Sequence, residues 1–335
     1  MNRLIKWLGR LMLLLTLVIL GLGGYGFSQW QKLERMTIAE SGEPLFVVAR
    51  GENSFQLINR LSSEPVPELQ RRLWLKFHPE LAAVRQGTYR LEPGMSLREA
   101  LMTFVNGDVY RLQVTLVEGL RLSDWRGRLA EAEYLAHELD GVGEAELAGR
   151  LGAEHGRLEG LFLPETYSYT PGDSDFSVLS RAYQEMQRFL DEAWEARMDG
   201  LPINSPYEAL ILASIIEKET GIAEERPLIA SVFVNRLRRG MRLQTDPTVI
   251  YGMGEDYDGN IRKRDLQTHT PYNTYMIDGL PPTPIAMPSK ASIQAALNPV
   301  ASDYYYFVAM GEGRHYFSKT LREHNNAVRR YILNR

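Results

Sequence analysis

The run LMLLLTLVILGLGGYGF at residues 11–27 carries no charged side chain, and no other feature constrains the chain as strongly. It sits at the short end of the ~17–25 apolar residues that a helix needs to cross a bilayer core. Trp7 and Trp30 bracket it, as interfacial aromatics do. A cleaved signal peptide is the alternative. The run exceeds the usual apolar core of about 7–15 residues, and Gly24-Tyr25-Gly26 makes a poor processing site. Arg3, Lys6 and Arg10 precede the span and outweigh Lys32 and Arg35, which Glu34 opposes. That asymmetry keeps the N-terminus in the cytoplasm and puts everything after residue 30 outside. No later segment reads as a span. The expectation is a single-pass chain whose bulk faces the periplasmic side of the inner membrane. Residues 1–10 form a cytoplasmic tail, 11–29 the transmembrane anchor and 30–43 a polar stalk.

The 335 residues leave room for roughly two domains beyond the anchor, at about 150 residues each. Charged residues at 24% and apolar residues at 44% describe an ordinary globular protein. A formal net charge of −4 gives no electrostatic case for nucleic acid as a partner. The lack of cysteine excludes disulfides, thiolate metal sites and Cys nucleophiles together. No Gly-rich phosphate loop or Ser nucleophile motif is present.

The expected fold class is α+β. A short β-type run, a Gly turn and a helix start recur at 45–61, 87–105 and 112–132. Ser96 with Glu99 has capping-box spacing, and Asn53 with Gln56 repeats it. Leu57, Ile58 and Leu61, like Leu97, Leu101 and Phe104, recur at helical spacing. Residues 44–110 therefore read as a small α+β module. Residues 111–200 form an intermediate, largely helical region, broken by the aromatic loop EGLFLPETYSYTPGDS at 159–174. Residues 201–335 form a C-terminal α+β domain. In it, the helix YEALILASIIEKET stops at Gly221, a second helix covers 223–240, and 241–290 is loop-rich. Such a loop-rich stretch inside a compact domain is usually functional. A hairpin at 304–318 and a helix capped by Thr320 with Glu323 close the chain.

Two glutamates end the helix before Gly221, and they differ. At 3.6 residues per turn, Glu217 and Glu219 point about 200° apart, so one cleft cannot hold both. Glu219 extends the stripe of Leu212, Ile215 and Ile216. Glu217 follows Leu210, Ala213 and Ser214, a smaller and more polar face. Partial desolvation raises a carboxyl pKa, and a carboxyl protonated near neutral pH can act as a general acid. Glu219 is the better candidate, against the plainer possibility of a surface glutamate near a helix end.

EKETG at 217–221, RGMRLQTDPTVIYGMG at 239–254 and TPYNTYMIDGLPPTPIAMPS at 270–289 together resemble the endolytic murein transglycosylase family. VEGLRLSD at 117–124 and LEGLFLPETY at 158–167 extend the resemblance, as does the anchor. The resemblance implies an inner-membrane enzyme that cuts bacterial cell-wall glycan, with peptidoglycan strands as substrate and no cofactor. It implies Glu219-Thr220 as the counterpart of a catalytic Glu-Ser pair, and Leu243-Gln244-Thr245 as a Gln-bearing substrate loop. Pro271-Tyr272-Asn273 is similar to an Ala-Tyr-Asn motif, with Pro in place of Ala. Gln244, Thr245, Tyr272 and Asn273 are thus the expected substrate-binding residues. Residues 44–110 look like a divergent LysM-type glycan-binding module. Nascent strands beside peptidoglycan synthases are the implied setting.

Two rival functions remain open at this level. A hydrolytic muramidase needs a second carboxyl, with Asp246 or Asp278 available; Asp246 equally suits a turn. A non-catalytic glycan-binding scaffold would tolerate loss of Glu219. His269, His315 and His324 have no ligand spacing, so no metal is expected. Arg236, Arg238, Arg239 and Arg242 read either as a site for peptide carboxylates or as a solvated helix face. Phe162, Tyr167 and Tyr169 read as sugar-stacking rings or as loop packing.

Overall fold

The computed structural model describes residues 2–39 and 44–333, so residues 40–43 of the expected stalk lie outside the described residues. Contacts divide the chain into two compact units, 1–112 and 113–335. Helix α1 (Asn2–Glu34) includes one stretch, Lys6–Glu34, that is long and apolar enough to cross a membrane. Its most apolar window has a mean hydropathy of 2.0 and buries nothing against the protein.

In the first unit, β1 (Leu45–Val48) is followed by α2 (Ser54–Leu61), α3 (Glu68–Phe77), β2 (Gly87–Arg90) and α4 (Leu97–Asn106). β1 and β2 pair antiparallel, with Leu45 opposite Arg90 and Val48 opposite Gly87. Both expected capping boxes form: Asn53 with Gln56 starts α2, and Ser96 with Glu99 starts α4. The apolar faces of these helices meet around Trp74, Tyr89 and Phe104. The segment expected to be a polar stalk contributes Leu33 and Ile38 to that core. Trp74 Nε1 donates to Glu34 at 3.0 Å, and His78 Nε2 lies 3.1 Å from the same carboxylate. The end of α1 is thereby built into the first unit. At Gly87, φ is +152° and a Cβ would lie 2.6 Å from Val109, so only glycine fits there.

The second unit opens with β3 (Leu112–Leu116), α5 (Leu122–Ala130) and α6 (Glu144–Leu151), then β4 (Glu165–Tyr169) and α7 (Asp175–Glu195). β3 pairs with β4. Next come α8 (Pro206–Glu219), α9 (Arg226–Arg238), α10 (Asp246–Met253), the short α11 (Lys263–Gln267) and α12 (Lys290–Leu297). β5 (Tyr306–Gly311), β6 (Arg314–Ser318) and α13 (Leu321–Val328) complete it. β5 and β6 form the expected hairpin, Phe307 opposite Phe317 and Ala309 opposite His315.

α8 is the axis of this unit. Every residue from Ala209 to Ile216 is buried, so the helix is enclosed all round rather than along one stripe. α7, α9, α10 and α12 pack against it. Ser205 caps its start by accepting from the Glu208 N–H, with Pro206 in the first turn. Its end differs from the glycine stop expected. Thr220 turns extended (φ −145°, ψ 133°), and Gly221 is not among the left-handed glycines. Phe162, Tyr167 and Tyr169 are all buried, which makes them packing residues of their loop.

Candidate active site

Because α8 is buried and ends abruptly, its last residue is delivered to the edge of the core. Glu219 lines a cleft of about 420 Å³ there, with Gln244, Thr245 and Asp246 on one side. The β5–β6 hairpin supplies Tyr306, Phe307 and His315 on another. Thr245 Oγ donates to Glu219 Oε1. Among the described residues Oε2 has no hydrogen-bond partner, which leaves that oxygen free to hold a proton. Burial pushes the carboxyl up to about 7, and the nearby Asp246 adds to the shift. Thr245, His315 and Arg236 oppose it without reversing it.

A set of threonine contacts fixes the Gln244–Asp246 turn. Gln244 N–H donates to Thr274 O at 3.1 Å, and Thr245 N–H to Thr274 Oγ1 at 3.1 Å. Thr248 Oγ1 bonds Thr245 O at 2.8 Å and lies 2.9 Å from Thr274 Oγ1. Gln244 is held at φ +51°, a left-handed conformation uncommon for a non-glycine residue. Such local strain persists only where neighbouring contacts over-determine it, and it concentrates at functional sites.

Arg236 stands beneath this turn. It is only 7% exposed, and it donates to the carbonyls of Tyr305, Arg242 and Leu243 at 2.6, 3.0 and 3.0 Å. Its guanidinium also reaches Gln244 Oε1 at 3.4 Å and lies over the Tyr306 ring. Opposite, His315 is clamped by Glu225, which accepts from its backbone N–H at 3.0 Å and contacts Nδ1 at 2.8 Å. Asp246 begins α10, where the helix N-terminus favours a carboxylate, and accepts from Tyr275 OH at 2.6 Å. His324 also lines the cleft, stacked 5.3 Å from Tyr306. Burial holds its imidazole below the ordinary value.

Of the residues expected from sequence, Glu219, Gln244 and Thr245 share this cleft; Tyr272 and Asn273 do not line it. Asn273 is 1% exposed, and its amide donates to the carbonyls of Asp265, Leu266 and Thr268 at 3.0, 3.2 and 2.6 Å. It organises the loop, and an amide so engaged has no donor left for a sugar. Tyr272 OH meets Thr283 Oγ1 at 2.9 Å and lines a different cavity. Two residues beyond Asn273 on the same loop, Tyr275 does line the cleft.

Glu217 is not a second acid. Its side chain is 5% exposed; Oε2 accepts from Ser289 N–H at 2.9 Å and Ser289 Oγ at 2.5 Å, and Oε1 lies 3.7 Å from Arg226. Since Ser289 caps α12, this carboxylate fastens α12 to α8. The basic run also resolves into structure. Arg238 donates to Gly200 O, Arg239 lies over Tyr305, and Arg242 holds Asp278 and Tyr275 O. Asp278 does not line the cleft.

Sequence reasoning did not single out Tyr275 or Glu225, and it considered Arg236 and His315 without placing them beside Glu219. Arg236 was detectable: it continues the helical spacing of the buried Ile229 and Phe233, where a charge must be paired or fully hydrogen-bonded. Glu225 and His315 are 90 residues apart, and nothing local links them.

Comparison with known proteins agrees with this architecture. The model of the YceG-like family matches residues 46–330. An endolytic murein transglycosylase of Bacillus subtilis (strain 168) is 34% identical over 263 residues, covering 73% of this chain and 72% of the relative. One from Streptococcus pneumoniae serotype 2 is 28% identical over 284 residues, covering 74% of this chain and 51% of that longer protein. A 2.6 Å crystal structure of a yceG-like protein from Listeria monocytogenes matches with a TM-score of 0.54 at 29% identity, covering 84% of this chain and 98% of that one. With its family match running from residue 46 to residue 330, well over half of the sequence, the chain belongs to the YceG-like family.

Proposed function

We propose that the protein is an endolytic murein transglycosylase. It cleaves the β-1,4 bond between N-acetylmuramic acid and N-acetylglucosamine and leaves a 1,6-anhydro-N-acetylmuramic acid end. The observation that carries this reading is Glu219, a carboxyl with pKa about 7 at the mouth of a cleft, one oxygen oriented by Thr245 and the other free. The similarity to proteins named endolytic murein transglycosylases supports it.

The chemistry needs one carboxyl in two roles. Protonated Glu219 gives its proton to the glycosidic oxygen as the C1–O4 bond breaks, and N-acetylglucosamine leaves with a 4-hydroxyl. The muramic sugar becomes oxocarbenium-like. Its own C6 hydroxyl then attacks C1, and Glu219, now carboxylate, takes the hydroxyl proton. The acid is regenerated and no water is consumed. A tethered nucleophile supplies a high effective concentration. A pKa near the working pH suits both the donating and the accepting step. Gln244 and Tyr275, which line the cleft, are the polar residues this reading assigns to the sugar. Arg236 adds a buried positive charge that favours the carboxylate after proton transfer.

Asp246 gives a second reading a specific basis, because this carboxylate lines the same cleft. If it activated water, the enzyme would be a hydrolytic muramidase. Its hydrogen bond from Tyr275 and its place at a helix N-terminus instead favour a fixed carboxylate that raises the Glu219 pKa. Mass spectrometry of digested glycan decides. Anhydro ends, lost in Glu219→Gln, are expected; reducing ends would establish the muramidase, and no cleavage by the wild type a binding scaffold.

The setting belongs to the same proposal. Helix α1 stays uncleaved as a single inner-membrane anchor, with its basic N-terminus cytoplasmic and the catalytic unit facing the wall. The charge asymmetry around the span supports this orientation. Residues 44–110 bind glycan as a LysM-like module; two helices between paired antiparallel strands support that assignment.

A further inference from the structure

A second cavity in the same unit, of about 640 Å³, shares no lining residue with the Glu219 cleft. Four of the sequence segments that carry the family resemblance meet there: 117–124 gives Arg121, 158–167 gives Glu159, 239–254 gives Tyr251 and 270–289 gives Tyr272. None of these four side chains lines the cleft where cleavage occurs.

The cavity is firmly built. Glu159 Oε1 accepts from the Leu122 N–H at 3.0 Å, at the first turn of α5, and Oε2 lies 3.4 Å from Tyr251 OH. Gly160 has φ +80°, and a Cβ there would fall 2.3 Å from Pro284 Cβ, so glycine is required to hold Glu159 in place. Arg121 lies 4.9 Å over the Tyr251 ring and reaches Ile250 O at 3.4 Å. Tyr251 meets Tyr272 edge-on, with centroids 4.9 Å apart. A Cβ on Gly252 would sit 3.0 Å from Tyr272 Cβ, so α10 is seated closely on that loop.

Its charge is unbalanced. Arg157 pairs with Glu144 at 2.9 Å. Arg121 and Arg126 have no ion-pair partner among the described residues; Arg126 uses one nitrogen on Leu139 O and Val142 O. Burial pushes Glu159 up to about 7, while Arg121 and its hydrogen bonds pull it down. With Arg121, Arg126 and Arg157 against Glu144 and Glu159, positive charge is in excess even when both carboxylates are ionised. Guanidinium groups with donors to spare around a solvent-filled cavity suit a carboxylate, which arginine can bind bidentately.

We propose that this cavity binds a carboxylate of the peptide substituent carried by the glycan strand in the Glu219 cleft. The inference rests on the glycan-cleaving reading given above. α10 links the two places: Asp246 lines the cleft and Tyr251 the cavity. Five residues along a helix is about 7.5 Å of rise and about 140° of rotation, so the substituent passes round α10 from the cleft to the cavity. The enzyme would then distinguish glycan that bears peptide from glycan that has been stripped of it.

The test uses the full-length chain in detergent, as Glu219→Gln, with three tetrasaccharide probes of alternating N-acetylglucosamine and N-acetylmuramic acid. One carries stem peptides, one has lost them and exposes its lactyl carboxylates, and one has those carboxylates capped as neutral methylamides. The peptide-bearing probe should bind about 10-fold or more tighter than the neutral one, as expected for a charge-assisted hydrogen bond. The stripped probe should bind like the neutral one. Arg121→Gln should reduce the preference, and so should Arg157→Gln, since Glu144 engages only one nitrogen of that guanidinium. Arg157 is 70% exposed, so its replacement keeps the test open if Arg121→Gln fails to fold. Equal affinity for all three probes would overturn the proposal. Tight binding of the stripped probe would also overturn it, by assigning the cavity to the lactyl group. Wild-type digestion of peptide-bearing and stripped glycan, side by side, separates the two readings. Anhydro ends from both without preference defeat this inference alone, whereas absent anhydro ends from the peptide-bearing glycan defeat the reading beneath it.

Discussion

The Thr245 hydroxyl donates to Oε1 of Glu219, joining the residue that caps α10 to the last residue of α8. This bond sets which carboxyl oxygen carries the proton, because Oε1 is already occupied as an acceptor. It also favours the charged form of Glu219 and lowers a pKa that burial has raised.

Thr245→Val keeps the branched shape and removes the donor. The Glu219 pKa should move up, so the alkaline limb of the pH–kcat profile moves to higher pH. The rate at its optimum should fall about 10-fold, for the loss of an orienting hydrogen bond to a charged group. An unmoved alkaline limb would show that Thr245 does not touch the reacting carboxyl in solution.

Glu219 also links activity to stability. Its folded pKa, about 7, is raised above the ordinary 4.5, so the native state favours the protonated acid. Its contribution to stability is fully present below about 4.5 and is lost as pH rises to about 7, where a carboxylate must be held largely out of water. Glu219→Gln removes that cost. The variant should melt higher than wild type at pH 8, by on the order of 2 kcal/mol, and match it near pH 4.5. A stability gap of the same size at both pH values would mean that the carboxyl titrates as an exposed one does.

The same residue shows how far the sequence could be read. The preference for Glu219 over Glu217 came from helical spacing together with the residues on each face, since about 200° separates the two side chains. The cause of its desolvation did not: α8 is buried on every side, and the enclosing helices come from distant parts of the chain. The capping boxes at Asn53 and Ser96 were legible because both partners lie within one turn. Asn273 and Tyr272 were assigned to sugar by motif, but a motif does not say which way a side chain turns. Here the loop folds around Asn273 and presents Tyr275 instead. The Glu225–His315 pair had no local signal, because it depends on how the hairpin packs beside α9.

Glu217→Gln should separate structure from chemistry. The amide oxygen can still accept both bonds from Ser289, but the charge near Arg226 is lost and an NH2 donor is turned towards that guanidinium. Stability should drop by about 1–3 kcal/mol, while kcat on glycan stays within a few-fold of wild type. Thermal melting and single-turnover cleavage on the same preparation check both. A Glu217→Gln variant that is stable but inactive would reassign the acid.

Asp246 is the residue on which the two enzymatic readings diverge. As a fixed carboxylate it raises the Glu219 pKa, so Asp246→Asn should lower that pKa and move the alkaline limb of the profile to lower pH. The amide can still accept the Tyr275 hydroxyl, so the turn should survive. Near pH 6 the variant should remain active and release only anhydro ends, since ring closure uses the substrate's own hydroxyl and Glu219. A muramidase would behave differently: with its base for water removed, cleavage should fall about 10²–10⁴-fold at every pH. Any residual product would carry reducing ends. The pH profile and the masses of the released ends, measured on one variant, therefore decide whether Asp246 tunes the acid or acts as a second catalytic group.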